Sequence, residues 1–414
     1  MKNENRAYVE LANRLVEESY KKQSAGLLSN LNKRNMDELE VSREKIIKTI
    51  RSELSEYESD SGAAITEEEK DIIMEIIDRE LWGYGVIDPY IHEEDISDIK
   101  IYGGDRVMAK EVGKRKKLDV RFESDKAYKK FVSKLLERNK INLGTANAIQ
   151  TFTDTSLDDF ILRITVISGL LTDSGLPVVA IRKIPKNKYN LLTLSHKGMF
   201  TKGRKPAEKE KNTRTIRVFE KLNPELGQII SDMIDSKGIL FTGKGASGKT
   251  TLMNAMISEI PHNESVMICQ ENAELFDLNH PDLFGCHVLT NTGDSKISYE
   301  LGDLTRVALL VDLDRVIVGE VKEGSEAAGL SKASMTGHKC WTSVHGESCQ
   351  MAVDKMADYI SQATGYSTRD SLKQLLGFEY VVHLKDFKVD EVIRISGWNS
   401  DEECLIYENV YVNM

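Results

Sequence analysis

Residues 238–260 read GILFTGKGASGKTTLMNAMISEI, and the fold follows from them. A short apolar run, Gly238 to Thr242, enters a glycine-rich loop, and an apolar-periodic helix leaves it. The loop itself, Gly243, Lys244, Gly245, Ala246, Ser247, Gly248, Lys249 and Thr250, fits G-x-x-x-x-G-K-[ST]. Strand, loop and helix in that order aim backbone N–H groups and a helix N-terminus at one point, which suits a phosphate. Lys249 would reach the β- and γ-phosphates, and the Thr250 hydroxyl would bind Mg²⁺. Thr251, next along the helix, completes the expected cradle. The ligand expected is ATP with Mg²⁺. A chance glycine turn would not bring a flanking strand and helix with it.

Outward from this loop, strands alternate with helices from about residue 214, the mark of a mostly parallel α/β sheet. SVMICQ (265–270), RVIVGE (315–320) and CWTSVH (340–345) join GILFT as core strands. The run ending at Glu320 is continuously apolar, as a strand covered on both faces should be. Ligands of open α/β sheets sit at the carboxyl ends of strands. A glutamate there can orient or deprotonate an attacking water, or it can be an ordinary carboxylate at a strand end. Two histidines, His338 after Thr336-Gly337 and His345 after Thr342-Ser343-Val344, flank the last core strand. One could sense the γ-phosphate and the other couple it to a neighbouring subunit. Metal ligation lacks a third ligand nearby in sequence.

Towards the N-terminus the pattern is α+β. Thr66 and Glu69 form a capping-box signature for a helix over about 66–82, with Ile72, Ile73, Ile76, Ile77 and Leu81 on one face. IKIYGGDRVMAK alternates around a Gly-Gly turn, residues 126–140 make a basic amphipathic helix, and residues 160–184 read as two strands. The expected organisation is a helical extension over 1–60, an α+β domain over 61–185, a linker over 186–213 and the P-loop domain over 214–414. The extension either docks on a membrane partner or caps the domain that follows it.

The chain has 414 residues, 40% of them apolar, and a net charge of −10. The acidic balance argues against a nucleic-acid-wrapping protein, although Lys110–Lys117 and Lys202–Lys211 are locally basic. No apolar run is long enough to span a bilayer, and MKNENRAYVELANRL lacks the apolar region of a secretory signal. Five scattered cysteines without a C-x-x-C pair read as reduced cytosolic thiols. The expected location is cytoplasmic.

Several ordered motifs from about residue 65 onward resemble the traffic ATPases of type II secretion, type IV secretion and type IV pili. The likeness is strongest to the Tad (Flp) pilus and type IV secretion branch. The loop 243–250 is their Walker A motif. Their acidic box resembles Gln270-Glu271-Asn272-Ala273-Glu274-Leu275, and their Walker B strand resembles Asp314-Arg315-Val316-Ile317-Val318-Gly319-Glu320, with Glu326 downstream. The His box resembles Thr336-Gly337-His338 through His345. Gly83 to Pro89, Ile96 to Val107 and Ile181-Arg182-Lys183-Ile184 resemble segments of the family's N-terminal domain.

The resemblance implies a RecA-like P-loop domain after an α+β N-terminal domain, with nucleotide between the two and subunits in a homo-hexameric ring. It implies Glu320 as the water-positioning residue and as a Mg²⁺ contact through water, with Glu271 and Glu274 supporting the metal shell. His338 and His345 would sense phosphate. Arg182 and Arg163 would be the N-terminal-domain arginines that reach phosphates, or they would cover a solvated strand end. Implied partners are an inner-membrane platform protein and, through it, the membrane periphery, without direct nucleic-acid contact. Departures are Gln270 and Glu271 for the box's Glu-Asp, Lys322 for an arginine, Leu310 for an arginine and Cys340 near the His-box glycine. Two rivals remain at this point: a nucleotide-binding regulator with little turnover, and a DNA translocase.

Overall fold

The capping box at Thr66 is formed: its side chain accepts from the Glu69 amide, and the Glu69 carboxylate accepts from the Thr66 amide at 2.8 Å. It opens helix α1 (Glu67–Leu81), described in a computed structural model that covers residues 8, 11–12, 14–15, 46–54, 65–186, 224–289 and 298–412. Apart from Lys186, the expected linker lies outside the described residues, as does most of the 1–60 extension. The chain forms two units, 1–93 and 94–414. In the first, Ile73, Ile76 and Ile77 of α1 bury against Leu11, Leu15, Ile46, Ile50 and Leu54. Ile72, read from the sequence as part of that face, is instead exposed. The helical period carries it off the stripe that its neighbours bury.

In the second unit, six antiparallel strands form a sheet of order β3-β2-β1-β6-β5-β4. They are β1 (Ile96–Ile101), β2 (Val107–Glu111), β3 (Lys114–Lys117), β4 (Ile149–Asp154), β5 (Phe160–Ile167) and β6 (Val178–Pro185). Helix α2 (Asp125–Arg138), capped by Ser124, buries Tyr128, Val132, Leu135 and Leu136, as the amphipathic pattern required. β4 was not anticipated. It is short and polar, and its place comes from pairing with β5.

The second sheet has eight strands in the order β14-β13-β12-β7-β11-β10-β8-β9. β7 (Gly238–Thr242), β8 (Val266–Gln270), β9 (Leu283–His287), β10 (Arg315–Val318), β11 (Lys339–Val344) and β12 (Tyr380–Lys385) run parallel. β13 (Lys388–Asn399) and β14 (Cys404–Val412) extend it antiparallel. Helices α3 (Pro224–Asp235) and α4 (Lys249–Ile257) cover one face. Helices α5 (Leu301–Ala308), α6 (Gly324–Met335) and α7 (Cys349–Thr364) cover the other. Successive residues therefore point to opposite cores: Leu240, Val316 and Val318 to one, Ile239, Phe241 and Ile317 to the other. All are buried, which explains the unbroken apolar runs.

The two sheets of this unit meet through a shared apolar cluster, in which Tyr102 packs on Phe284, and through charge. Arg115, in the locally basic segment Lys110–Lys117, is nearly inaccessible and reaches Asp312 at 2.7 Å and Asp314 at 2.7 Å. Lys100 lies 3.1 Å from Asp282 and donates to Ser265, and the Tyr102 hydroxyl donates to Asp282. All four acceptors precede strands β8, β9 or β10, so this contact sits at the amino ends of the parallel strands.

Candidate active site

The P-loop lies at the opposite, carboxyl ends of those strands. Gly243 has φ +145°, and a side chain there would strike the Leu384 carbonyl and Ser247. Gly248, at φ +98°, caps α4 without a side-chain hydrogen bond, leaving the first-turn amides for a ligand. Lys249 donates to the carbonyls of Gly243 at 2.8 Å and Lys244 at 3.0 Å, so the loop closes on its own lysine. Burial pushes the Lys249 ammonium below the usual lysine range, against the opposing pull of Glu320. Thr250 and Thr251 are exposed at the helix start, whereas Ser247 Oγ and Thr242 Oγ1 are buried with no hydrogen-bond partner. Hard oxygens at Thr250 and Glu320 suit Mg²⁺, which keeps most of its shell for water and phosphate.

Glu320 follows β10 and His345 follows β11, so strand polarity delivers both to this edge. His345 Nε2 lies 2.9 Å from Glu320 Oε1, and its Nδ1 lies 3.3 Å from Lys249 Nζ. The tautomer with hydrogen on Nε2 donates to the carboxylate and accepts from the ammonium, while the Gly243 carbonyl, 3.2 Å from Nδ1, then takes its hydrogen bond from Lys249 and not from the ring. Lys322 bonds Glu271 at 2.7 Å and lies 3.7 Å from Glu320. Lys249, Glu320 and the segment around Glu271 thus form one connected group.

Gln270 supports that box. Its Oε1 accepts from the amides of Glu274 and Leu275, and its Nε2 donates to the Leu275 carbonyl and to Asp173. Asn254 of α4 fastens the other side, donating to the Glu274 carbonyl at 3.1 Å and accepting from the Phe276 amide at 3.0 Å. Neither Asp173 nor Asn254 stood out in the sequence, because nothing local marks them. Glu271 and Glu274 are exposed. Glu326 accepts from the amides of Lys322 and Glu323 and forms the capping box of α6; burial raises its carboxyl above the usual range.

His338, Arg163 and Arg182 are not brought to this group within one chain. His338 precedes β11, at the far end of the strand from His345, and lies 3.1 Å from the Ala333 carbonyl. Arg163 and Arg182 are register partners on β5 and β6. Arg182 bonds Asp98 at 2.9 Å, beside Asp312 at 3.7 Å. The cleft they line, with Asp98, Lys100, Leu310 and Asp312, contains no P-loop residue. Sequence similarity located these arginines on their strands; the end of the parallel sheet they face depends on how the two sheets dock.

Residues 205–377 match the family model described as Type II/IV secretion system protein. The type IV secretion system protein VirB11 of Bartonella henselae is 24% identical over 255 residues, 56% of this chain and 70% of that protein. The conjugal transfer protein TrbB of Rhizobium radiobacter is 29% identical over 183 residues, 42% of this chain and 53% of that protein. The crystal structure of the VirB11 ATPase from the Brucella suis type IV secretion system, in complex with sulphate, matches with a TM-score of 0.58 at 19% identity. It covers 71% of this chain and 89% of that one, and the likeness carries the fold: an N-terminal domain followed by a RecA-like domain.

Proposed function

Because this chain belongs to the ATPase family of type II and type IV secretion, we propose that it works as a homo-hexameric, Mg-ATP-hydrolysing motor. It would drive a type IV secretion or Tad-type pilus assembly machine from the cytoplasmic face of the membrane. The observation that carries this reading is the string Glu320–His345–Lys249, which joins a strand-end carboxylate to the phosphate lysine through one imidazole.

In this reading, incoming phosphates draw Lys249 away from the Gly243 and Lys244 carbonyls, and the freed first-turn amides of α4 take up phosphate oxygens. Thr250 would hold Mg²⁺ directly and Glu320 through water; the ion, when bound, neutralises charge on the phosphates. Glu320, oriented by His345 and Lys322, positions the attacking water. Glu271 and Glu274 sit on the box that Gln270 and Asn254 hold beside it.

Arg163, Arg182 and His338 face away from this P-loop, so phosphate contact by the arginines and coupling through His338 would occur across a subunit boundary of the ring. Among the described residues no helix is long and apolar enough to cross a membrane. An inner-membrane platform protein would supply the attachment, without nucleic-acid contact.

Steady-state ATPase activity of wild type beside Glu320→Gln, with oligomeric state recorded with and without ATP, tests the reading. Slow turnover and ATP-dependent assembly in wild type, with binding but no hydrolysis in the variant, support it. Assembled rings of both proteins that bind ATP and are equally inert would make the chain a regulator.

A further inference from the structure

We propose that the ring of Phe387 is the platform on which the purine base of the bound nucleotide stacks. The proposal rests on the nucleotide-binding reading of the P-loop and extends it to the other end of the ligand. Lys385 and Lys388 pair across β12 and β13, so Asp386 and Phe387 alone make the hairpin turn. Both adopt left-handed backbone, at φ +50° and +61°. Such turns take glycine most readily at the second position, so a phenylalanine held there is an unfavourable choice for the hairpin itself. The residue is 69% exposed, so hydrophobic burial does not account for it.

Its position supplies the reason. A methyl group placed on Gly248 would lie 3.4 Å from Phe387 Cδ1 and 3.6 Å from Cε1, so the ring stands at the rim of the P-loop. The turn is fixed there because β12 pairs directly with β7, the strand that feeds the loop, and the Leu384 carbonyl closes over Gly243. Glu320 lies on the other side of β7, beyond β11 at the end of β10. A nucleotide whose terminal phosphate points to Glu320 extends its sugar and base away from it, towards the β12–β13 turn. An exposed aromatic face at that point offers a base its π-surface, and stacking of this kind changes affinity roughly five- to a hundredfold without reading base edges.

The experiment measures binding of ADP and of inorganic tripolyphosphate by calorimetry to full-length wild type, Phe387→Ala and Phe387→Trp. Expected for Phe387→Ala is a Kd for ADP roughly tenfold higher, with tripolyphosphate affinity unchanged. Phe387→Trp should keep ADP affinity and show indole fluorescence quenched by ADP and not by tripolyphosphate. Unchanged ADP binding in Phe387→Ala overturns the proposal while leaving the nucleotide site intact. Equal loss of both ligands in Phe387→Ala also overturns it, since the ring would then only prop the loop. Wild type that binds neither ligand removes the nucleotide site and the proposal with it.

Discussion

Gln270 Nε2 donates to Asp173 Oδ2 at 3.0 Å, tying the strand that carries the acidic box to the loop between β5 and β6. Asp173 Oδ1 also meets His287 Nδ1 at 2.9 Å, so the loop grips two adjacent strand ends. The family pattern has a glutamate where this chain has Gln270. With Asp173 opposite, the amide is the better fit: a carboxylate would place like charge on Asp173 and a lone pair on the Leu275 carbonyl.

Gln270→Glu should therefore loosen the box, costing about 1–3 kcal/mol of stability. Displacing Glu271 and Glu274 should lower kcat roughly ten- to a hundredfold. The paired change Asp173→Asn with Gln270→Glu restores a donor between the two positions and should recover part of both losses. Denaturant midpoints and ATPase rates for the two single variants and the double variant check this. A double variant no better than Gln270→Glu would show that the pair is not the relevant contact.

Arg115→Met should destabilise the fold strongly. Its guanidinium is enclosed by Asp312 and Asp314, with Asp282 at 3.8 Å, and its removal strands buried carboxylates. Losing one partner of a buried charge cluster costs about 3–5 kcal/mol. Lys322→Met makes the contrast. Its pair with Glu271 is exposed, so the stability change should stay under about 1 kcal/mol, while kcat falls because Glu271 and Glu320 lose the cation between them. Urea midpoints and turnover measured on both variants separate the two roles.

These two cations also show how much was legible beforehand. The P-loop, the run into Glu320 and the capping box at Thr66 are local patterns, and chain continuity alone specifies them. Arg115 sits in a lysine-rich string that reads as surface; its three acids, Asp282, Asp312 and Asp314, lie far along the chain and meet it only because β3 docks at the amino ends of β8, β9 and β10. Gln270 and Lys322 read as losses from a motif, because their partners Asp173 and Glu271 become neighbours only through sheet order. Ile72 went wrong for a smaller reason: a one-residue step around a helix separates buried from exposed.

Stability should fall in acid through the same cluster. Burial of Asp312 opposes ionisation, but hydrogen bonding from Lys110 and the charges of Arg115, Lys110 and Lys100 outweigh it and hold the carboxyl below its ordinary range. A carboxylate depressed in the folded state contributes stability above its unfolded pKa of about 3.9, and loses it as pH falls through the folded value. Thermal unfolding from pH 7 to pH 3 should show a drop in Tm at the acid end that is smaller in Asp312→Asn. The variant itself starts lower at neutral pH, since Lys110 and Arg115 lose a charged partner.

His345 should separate turnover from binding. It links Glu320 to Lys249, yet the lysine also holds two loop carbonyls and the phosphate amides do not depend on the imidazole. His345→Ala should leave the ATP Kd within about threefold, a change of less than 1 kcal/mol. Its kcat should fall at least tenfold, because the carboxylate loses its orienting donor. His345→Gln places an amide N–H near the position of Nε2 and so can still donate to Glu320, while its link to Lys249 is lost. That variant should regain most of the turnover if orientation of Glu320 is what His345 provides. Rates as poor as those of the alanine variant would move the effect to Lys249 instead. A parallel loss of binding and turnover in both would make the histidine a support for the loop.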